Sequence, residues 1–278
     1  PDAWLSVDRG LYRLRLLNGS SARIYKVALS DGRPFHLIGT DGGLLGAPVS
    51  VTSAMLAPGQ RLEILVDFSA YAVGASVVLK SLSFPGGGGM MGGPQQGTEM
   101  DLLRFYVDSA ATGNATVPAT LQPFTPLNPA QARRTRVFTL AMAGMVHTIN
   151  NRLFEMDTVA QDEIVRLGDL EVWEFVNLEG GSGMGMGMMN MDMPHPMHIH
   201  GVQFQVLERQ IARGFESVYQ ELSGGFVDDG WKDTVLVMPG EAVRVLVKFD
   251  HYAGLYLYHC HNLEHEDGGM MRNYRIES

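Results

Sequence analysis

The segment just before the C-terminus holds the residues that are best suited to metal chemistry. It contains the only cysteine, Cys260, which is flanked by His259 and His261 and followed by His265 and Met270. A thiolate, two imidazoles and a weak axial thioether make up the ligand set of blue-copper sites. Cys260, His265 and Met270 supply three of those four members, so the sequence predicts a copper site here.

The residues that lead into this segment favour a strand. Leu255 to Tyr258 are aromatic or aliphatic, which suits a buried strand. Side chains on a strand alternate between its two faces, so His259 and His261 should point one way and Cys260 the other. A sulfur on one face and imidazoles on the opposite face can serve different metals. The pattern therefore predicts linked metal sites rather than one closed site.

A second histidine segment has the pattern H-x-x-H-x-H and contains His195, His198 and His200. By the same alternation His198 and His200 share a face, whereas His195 could join Cys260 on the other. Ordinary core or surface histidines explain this poorly, because six of the nine histidines fall in these two short segments. A structural zinc site is the better rival, but a closed tetrahedron gives no reason for paired H-x-H dipeptides plus a downstream methionine.

Together the two segments resemble the C-terminal signature of the multicopper oxidases, in the bacterial laccase and cuprous oxidase group. The phrases G-W-K-D-T-V, from Gly230, and E-H-E-D, from Glu264, are also similar to the bacterial members. The resemblance covers nearly the whole chain and is strongest in its last third. It implies an all-β fold of two cupredoxin-like Greek-key β-sandwich domains, equivalent to the second and third domains of a three-domain oxidase.

The resemblance also implies a role for each ligand. It makes the type 1 copper ligands His195, Cys260, His265 and Met270. It assigns the type 2 copper to His198, and the type 3 copper pair to His200, His259 and His261. Glu266 matches a family carboxylate thought to relay protons to oxygen, and a solvated acid on a loop is the plainer alternative.

A stretch rich in glycine and methionine, Gly180 to Met193, runs directly into the His195 segment. Methionine usually fills gaps in a core, but the interspersed glycines deny this stretch a regular apolar face. Soft thioethers select Cu(I), so the stretch could bring cuprous ions to the type 1 site; a generic flexible lid is the alternative. By resemblance to the cuprous oxidases, the expected substrate residues are Met191, Asp192 and Met193.

The composition limits the classes of partner that the protein can bind. The net charge of -9 over 278 residues, with a pI near 5.4, provides neither a basic stripe for nucleic acid nor a polybasic patch for a membrane. No apolar run reaches the roughly 18 residues that span a bilayer, and no signal peptide opens the chain. One cysteine excludes an internal disulfide and leaves the redox compartment open. The resemblance implies a periplasmic or secreted location.

We expect two domains, residues 1–125 without copper ligands and residues 126–278 with them. Short alternating strands separated by turns, such as Leu11 to Leu17 before Asn18-Gly19, predict a sandwich. A proline-bearing connector from Pro118 to Pro129 should join the two domains over the surface. His36 and His147 stand alone in the sequence, so we expect His36 to be a core or edge residue and His147 to lie on the surface without a role.

The expected activity is one-electron oxidation of phenols or of Cu(I), coupled to four-electron reduction of dioxygen to water. The family uses twice as many H-x-H-type pairs as this chain has, so the resemblance implies an N-terminal cupredoxin domain, in the same protein or in a separate chain. A copper-binding or electron-transfer module is the alternative, although it would not need His198, His200, His259 or His261. A nitrite reductase has a histidine on only one side of the cysteine, and a non-catalytic relative would have lost ligands.

Overall fold

The computed structural model describes residues 3–85, 96–111, 113–143, 146–177 and 193–278. Within these ranges the chain forms nineteen strands, two short α-helices and two 3-10 turns, at Pro129–Gln131 and Gln161–Glu163. Of the helices that the structure describes, none has the length and apolar character needed to cross a membrane.

The first half of the chain forms two sheets that share one core. Its strands are β1 (Trp4–Asp8), β2 (Leu11–Leu17), β3 (Tyr25–Leu29), β4 (Phe35–Thr40), β5 (Gly43–Val51), β6 (Ser53–Leu56), β7 (Arg61–Asp67), β8 (Ser76–Ser81) and β9 (Met100–Ser109). One sheet has the order β1-β9-β8-β3-β6 and the other the order β2-β7-β4-β5. Inward-facing side chains of both sheets pack around Phe35, Phe68 and Phe105, as expected of a sandwich.

The second half repeats this plan of two sheets around one core. Its elements are β10 (Thr135–Ala143), β11 (Val146–Ile149), β12 (Ile164–Arg166), β13 (Leu170–Asn177), β14 (His195–Ile199), β15 (Phe204–Ile211), α1 (Glu216–Ser223), β16 (Thr234–Val237), β17 (Glu241–Lys248), β18 (Gly254–Cys260), α2 (Leu263–Asp267) and β19 (Met271–Glu277). The sheet orders are β11-β10-β13-β17-β15 and β12-β19-β18-β14-β16. Trp173, which is wholly buried, lies at the centre of their common core with Phe138 and Tyr258 around it.

The all-β prediction is confirmed, and several elements were missed. The sequence did not indicate β11 or β19, and the segment after Cys260 turns into the helix α2 rather than a loop. The limits 1–125 and 126–278 stay a prediction, although the strands of the first two sheets end at Ser109 and those of the other two begin at Thr135.

Buried contacts join the two sandwiches. Residues of the first half (Ile24, Met55, Ala57 and Phe84) share an apolar cluster with residues of the second (Leu222, Leu236 and Met238). A buried ion pair also joins the halves: the ammonium of Lys232 lies 3.4 Å from the carboxylate of Asp41, and both side chains are almost fully buried. Removing one partner of such a pair would leave a buried charge without compensation, which strongly destabilises a protein. The halves therefore depend on each other.

A buried carboxylate anchors the strand that carries the cysteine. Glu163 accepts hydrogen bonds from the Tyr258 hydroxyl at 2.9 Å and from two nitrogens of Arg272, each at 2.8 Å. Burial raises the pKa of Glu163, but the hydrogen bonds from Arg272, from the Ala160 amide and from Tyr258 outweigh it and hold the pKa below its usual range. Tyr258 lies two residues before Cys260, so this contact fixes the position of β18 next to the predicted metal ligands.

We expect Glu163→Ala to lower the free energy of unfolding by about 3–5 kcal/mol, because Arg272 would remain buried without its partner. Asp162→Ala is the matched control, since Asp162 pairs with Arg152 at the surface and should contribute less than about 1 kcal/mol. Chemical denaturation of the apo chain measures both. Equal losses in the two variants would contradict a special role for the buried pair.

Candidate metal centre

The centre is built on two neighbouring antiparallel strands, β14 and β18. Their register places Met197 opposite Cys260 and His198 opposite His259. Directly opposed residues point to the same face of a sheet, and successive residues point to opposite faces. Met197 and Cys260 are wholly buried on the core side. His198 and His259 project from the other side, as the alternation predicted.

On the core side a sulfur and two imidazoles converge. The Sγ atom of Cys260 lies 3.5 Å from Nδ1 of His195 and 3.4 Å from Nδ1 of His265. Met270 is wholly buried in the same core cluster, and its carbonyl accepts a hydrogen bond from the Cys260 amide at 3.1 Å. The Met270 amide in turn donates to the His265 carbonyl at 2.8 Å. The loop after β18 is thus folded back so that its ligands face the strand.

Asn262 joins the two ligand segments and was missed by the sequence analysis. It is wholly buried, and its Nδ2 donates to the Pro194 carbonyl at 2.9 Å. The same atom lies 3.5 Å from Nδ1 of His265. Pro194 immediately precedes His195, so a single amide side chain sets the spacing between the loop of α2 and the start of β14.

The opposite face carries four histidines. Nε2 of His200 lies 3.0 Å from Nε2 of His259, and with His198 these residues offer ring nitrogens that lie within 4.8 Å of one another. The ring of His261 lies 5.5 Å from that of His259, centre to centre. Burial lowers the pKa of His259 to about 4, so its imidazole is neutral at pH 7. Neutral imidazole is the form that binds metals.

Glu266 lies beside this face. One of its carboxylate oxygens is 3.3 Å from Nδ1 of His259, which also lies 3.0 Å from the Cys260 carbonyl. A carbonyl oxygen only accepts, so the hydrogen on Nδ1 points at this pair of oxygens and Nε2 keeps its lone pair. The side chain of Glu266 is 30% exposed, so Glu266 contacts a candidate ligand and remains partly open to solvent.

His147 was predicted to lie on the surface without a role. The location was wrong, because the residue is half-buried against two candidate ligands. Its ring stacks on that of His265, with ring centres 3.8 Å apart, and lies 5.3 Å from that of His195. His147 belongs to β11, where it pairs with Met142 of β10. Because the short strand β11 was not recognised in the sequence, nothing indicated that this histidine would lie against the ligand loop. His36, by contrast, lies on β4 among the strands of the first sandwich.

Of the three predicted substrate residues, the structure describes one. Met191 and Asp192 lie outside the described residues. Met193 is half-buried, and its carbonyl accepts a hydrogen bond from Nδ2 of Asn177 at 2.8 Å. Asn177, the last residue of β13, and Met193, two residues before β14, therefore lie next to each other.

The multicopper oxidase family matches residues 123–278, which include every candidate ligand. The chain belongs to the multicopper oxidase family. A laccase of Bacillus stratosphericus is 34% identical over 97% of this chain and 52% of its own length. A bilirubin oxidase of Albifimbria verrucaria is 30% identical over 98% of this chain and 45% of its own length. The chain thus spans about half the length of these curated relatives.

The solved structures agree with the family. A variant of the McoA multicopper oxidase from Aquifex aeolicus superposes with a TM-score of 0.85 at 36% identity, covering 100% of this chain and 58% of that one. The two sandwiches are therefore of the cupredoxin type, as the resemblance implied. The cofactor of this family is copper, and the donors on the core side fit it: soft sulfur with imidazole suits copper better than a hard cation.

In this multicopper oxidase chain the first sandwich orients the histidine face. Arg61 donates to both carboxylate oxygens of Asp233, at 2.8 and 2.5 Å. Nδ1 of His198 donates to the Asp233 carbonyl at 2.9 Å and lies 3.0 Å from the Thr234 hydroxyl. Burial raises the pKa of Asp233, but the bonds from His198 and Arg61 hold it well below its usual range. Nε2 of His198 is thereby left to face the other imidazoles.

Gly59 brings the backbone of the first sandwich against a second imidazole. A Cβ atom at this position would lie 2.4 Å from Cδ2 of His261, and its φ of +78° is one that residues with a side chain rarely adopt. The Gly59 carbonyl accepts a hydrogen bond from Arg61 at 2.8 Å. The segment 59–61 therefore supports the histidine face in two ways, directly at His261 through Gly59 and at His198 through Arg61 and Asp233. The sequence indicated neither contact, because the first sandwich carries no predicted ligand.

We expect Gly59→Ala to destabilise the apo chain and to shift the imidazole NMR signals of His261, because the added methyl group meets that ring. Gly74→Ala is the matched control: its φ is +89° but nothing lies within 4 Å of the added atom. The control should lose only the roughly 1–2 kcal/mol of the left-handed backbone and leave His261 unchanged. Identical losses with undisturbed His261 signals would mean that the contact at Gly59 does not position the ring.

Proposed function

We propose that this chain is the C-terminal part of a laccase-like multicopper oxidase. Such an enzyme couples one-electron oxidation of phenolic substrates or Cu(I) to the four-electron reduction of dioxygen to water. The observation that carries the proposal is the division of β18 between its faces, with the thiol of Cys260 on one side and the imidazole of His259 on the other.

We assign the copper ligands in two groups. The type 1 ligands are His195, Cys260, His265 and Met270. The type 2 ligand is His198, and the type 3 ligands are His200, His259 and His261. The first group is supported by the approach of both Nδ1 atoms to Sγ of Cys260, and the second by the ring nitrogens of His198, His200 and His259, which lie within 4.8 Å of one another on the opposite face.

When bound, copper supplies one-electron redox chemistry on the core side and oxygen reduction on the histidine side. Cys260 connects the two, because its peptide units join it directly to His259 and His261. Met270 would supply a weak thioether donor to that copper and so tune its potential. The complete burial of His195, Cys260 and Met270 excludes water from the type 1 side.

Protons for oxygen reduction are assigned to Glu266. Its carboxylate lies 3.3 Å from Nδ1 of His259 and remains partly exposed. A carboxylate in this place can take a proton from solvent and hold it at the edge of the histidine face. Sequence comparison alone had left a solvated acid as the alternative, and the contact with His259 favours the relay.

For the substrate, both phenols and Cu(I) remain in the proposal. Met193 lies two residues before His195 and is half-buried, and a thioether suits a cuprous ion. The related proteins named laccase and bilirubin oxidase favour organic reductants. We place the protein in the periplasm or outside the cell, as its family resemblance implies.

An N-terminal cupredoxin domain, in the same protein or in a second chain, completes the proposal. His200 is exposed and His198 is half-buried, so the histidine face is open on the side where further ligands would be needed. An electron-transfer module is the second candidate function. It is favoured because, among the described residues, only the predicted type 1 set has all four of its donors.

Copper loading should produce an intense blue absorption that is absent in Cys260→Ser, because the colour arises from the copper–thiolate bond. Met270→Leu should keep the colour and raise the reduction potential, since it removes an axial donor that favours the cupric state. Visible spectroscopy and redox titration measure these changes, with circular dichroism to verify folding. A folded, copper-loaded and colourless wild-type chain would refute the type 1 assignment.

Residues 1–278 alone should retain the blue site but consume oxygen at a negligible rate, because each missing imidazole leaves a position for solvent. Adding a cupredoxin domain with two further H-x-H pairs should restore oxygen uptake and raise the copper content per protein. An oxygen electrode and metal analysis measure both. Oxygen consumption by the 278-residue chain at the rate of the complete assembly would require a different oxygen site and leave this proposal wrong.

A further inference from the structure

The type 1 ligands are enclosed by the protein, which raises the question of how a metal ion reaches them. Cys260, His195 and Met270 have no exposed surface, and His265 is only 8% exposed. A hydrated cupric ion carries its own water ligands and must exchange them for protein ligands one after another. A donor that is open to solvent and adjacent to the buried set would make that exchange stepwise.

His147 lies at the boundary between solvent and the buried set. The residue is partly exposed on β11, although its Nδ1 atom is buried, and its ring stacks on that of His265. One ring nitrogen each from His147, His195 and His265 lies within 4.8 Å of the other two. Metal–imidazole bonds are about 2.0–2.1 Å long, so modest rotations of the three rings would place one ion among them.

The position of β11 allows such rotations. It lies at the edge of its sheet, with β10 as its neighbour in the sheet order, and it has only four residues. A short edge strand is held by fewer backbone hydrogen bonds than an interior strand, so it opens at a lower cost in free energy. The other two imidazoles are held more firmly, on β14 and α2 inside the fold.

We propose that His147 is a capture ligand, which forms a three-imidazole site for Cu(II) with His195 and His265 before the type 1 site is complete. The inference rests on the proposed type 1 ligands and adds a residue and a step that they do not include. His147 is a metal ligand in the incoming complex and is not a ligand in the final one.

The transfer is a ligand exchange in which copper stays cupric throughout. The bond from His147 to copper breaks, while bonds from Sγ of Cys260 and from the Met270 thioether form. The Cys260 thiol loses its proton as its bond forms, because the thiolate is the metal ligand, and that proton leaves to solvent. No oxidant is required. His195 and His265 remain bound in both arrangements, so the ion is never released.

The test follows the blue absorption after Cu(II) is mixed with the apo chain in a stopped-flow instrument without oxygen. This band requires the bond to Cys260, so copper at the histidine face does not contribute to it. In the wild type the rate should level off as the copper concentration rises, because capture precedes transfer. In His147→Phe the rate should fall by at least about tenfold, the order seen when residues around metal ligands are removed, and should increase linearly with copper.

Phenylalanine is chosen because it preserves an aromatic ring against His265 while removing both ring nitrogens. His36→Phe is the matched control, since it removes another partly exposed histidine from a strand of the first sandwich, and it should load like the wild type. The final blue absorbance of His147→Phe should equal that of the wild type, because His147 is absent from the finished ligand set.

Two results would overturn the proposal. The first is loading of His147→Phe at the wild-type rate, which would mean that copper enters by another route. The second is a reduced or shifted final absorption band in a variant that melts like the wild type, which would make His147 a part of the finished site. A wild-type chain that never turns blue would instead remove the proposed type 1 site itself, so the two failures are distinguishable.

Discussion

The in-register pairing of β14 with β18 is the constraint on which the metal centre depends. Because side chains alternate along both strands, a slip of one residue would move Cys260 to the histidine face and turn His259 into the core. The core prevents this slip. Tyr258, Ile199 and Met197 are wholly buried on these strands, and exposing that apolar face would be costly. Packing of the second sandwich therefore determines which face of the sheet each candidate ligand occupies.

Hydrogen bonds and burial also determine which ring nitrogen of the candidate ligands is free to bind a metal. The hydrogen bonds from Nδ1 of His198 and His259 to backbone carbonyls fix which ring nitrogen carries the hydrogen. In both cases Nε2 is left to face the neighbouring imidazoles. Together with the lowered pKa of His259, this leaves the Nε2 atom of His259 as a neutral donor before any metal is present. A preorganised site of this kind holds its geometry through the surrounding shell of contacts rather than through the metal.

The first sandwich contributes no predicted ligand, yet the histidine face relies on it. Arg61 holds Asp233, Asp233 holds His198, and the backbone at Gly59 lies against His261. The buried pair of Lys232 and Asp41 lies in the same region and crosses between the two halves. The motif G-W-K-D-T-V, which resembles the bacterial members of the family, thus has a physical role: it is where the second sandwich contacts the first.

The sequence by itself indicated the candidate ligand types and their division between two strand faces, and it determined the all-β class. These are local properties, because residue chemistry and a period of two can be read from a few neighbouring positions. Only the tertiary structure decided that His147 stacks on His265, that Asn262 reaches Pro194 and that Arg61 reaches Asp233. Each of these contacts joins residues that are distant in the chain or lie on an unrecognised element, and a local pattern does not indicate which distant side chain will pack against it.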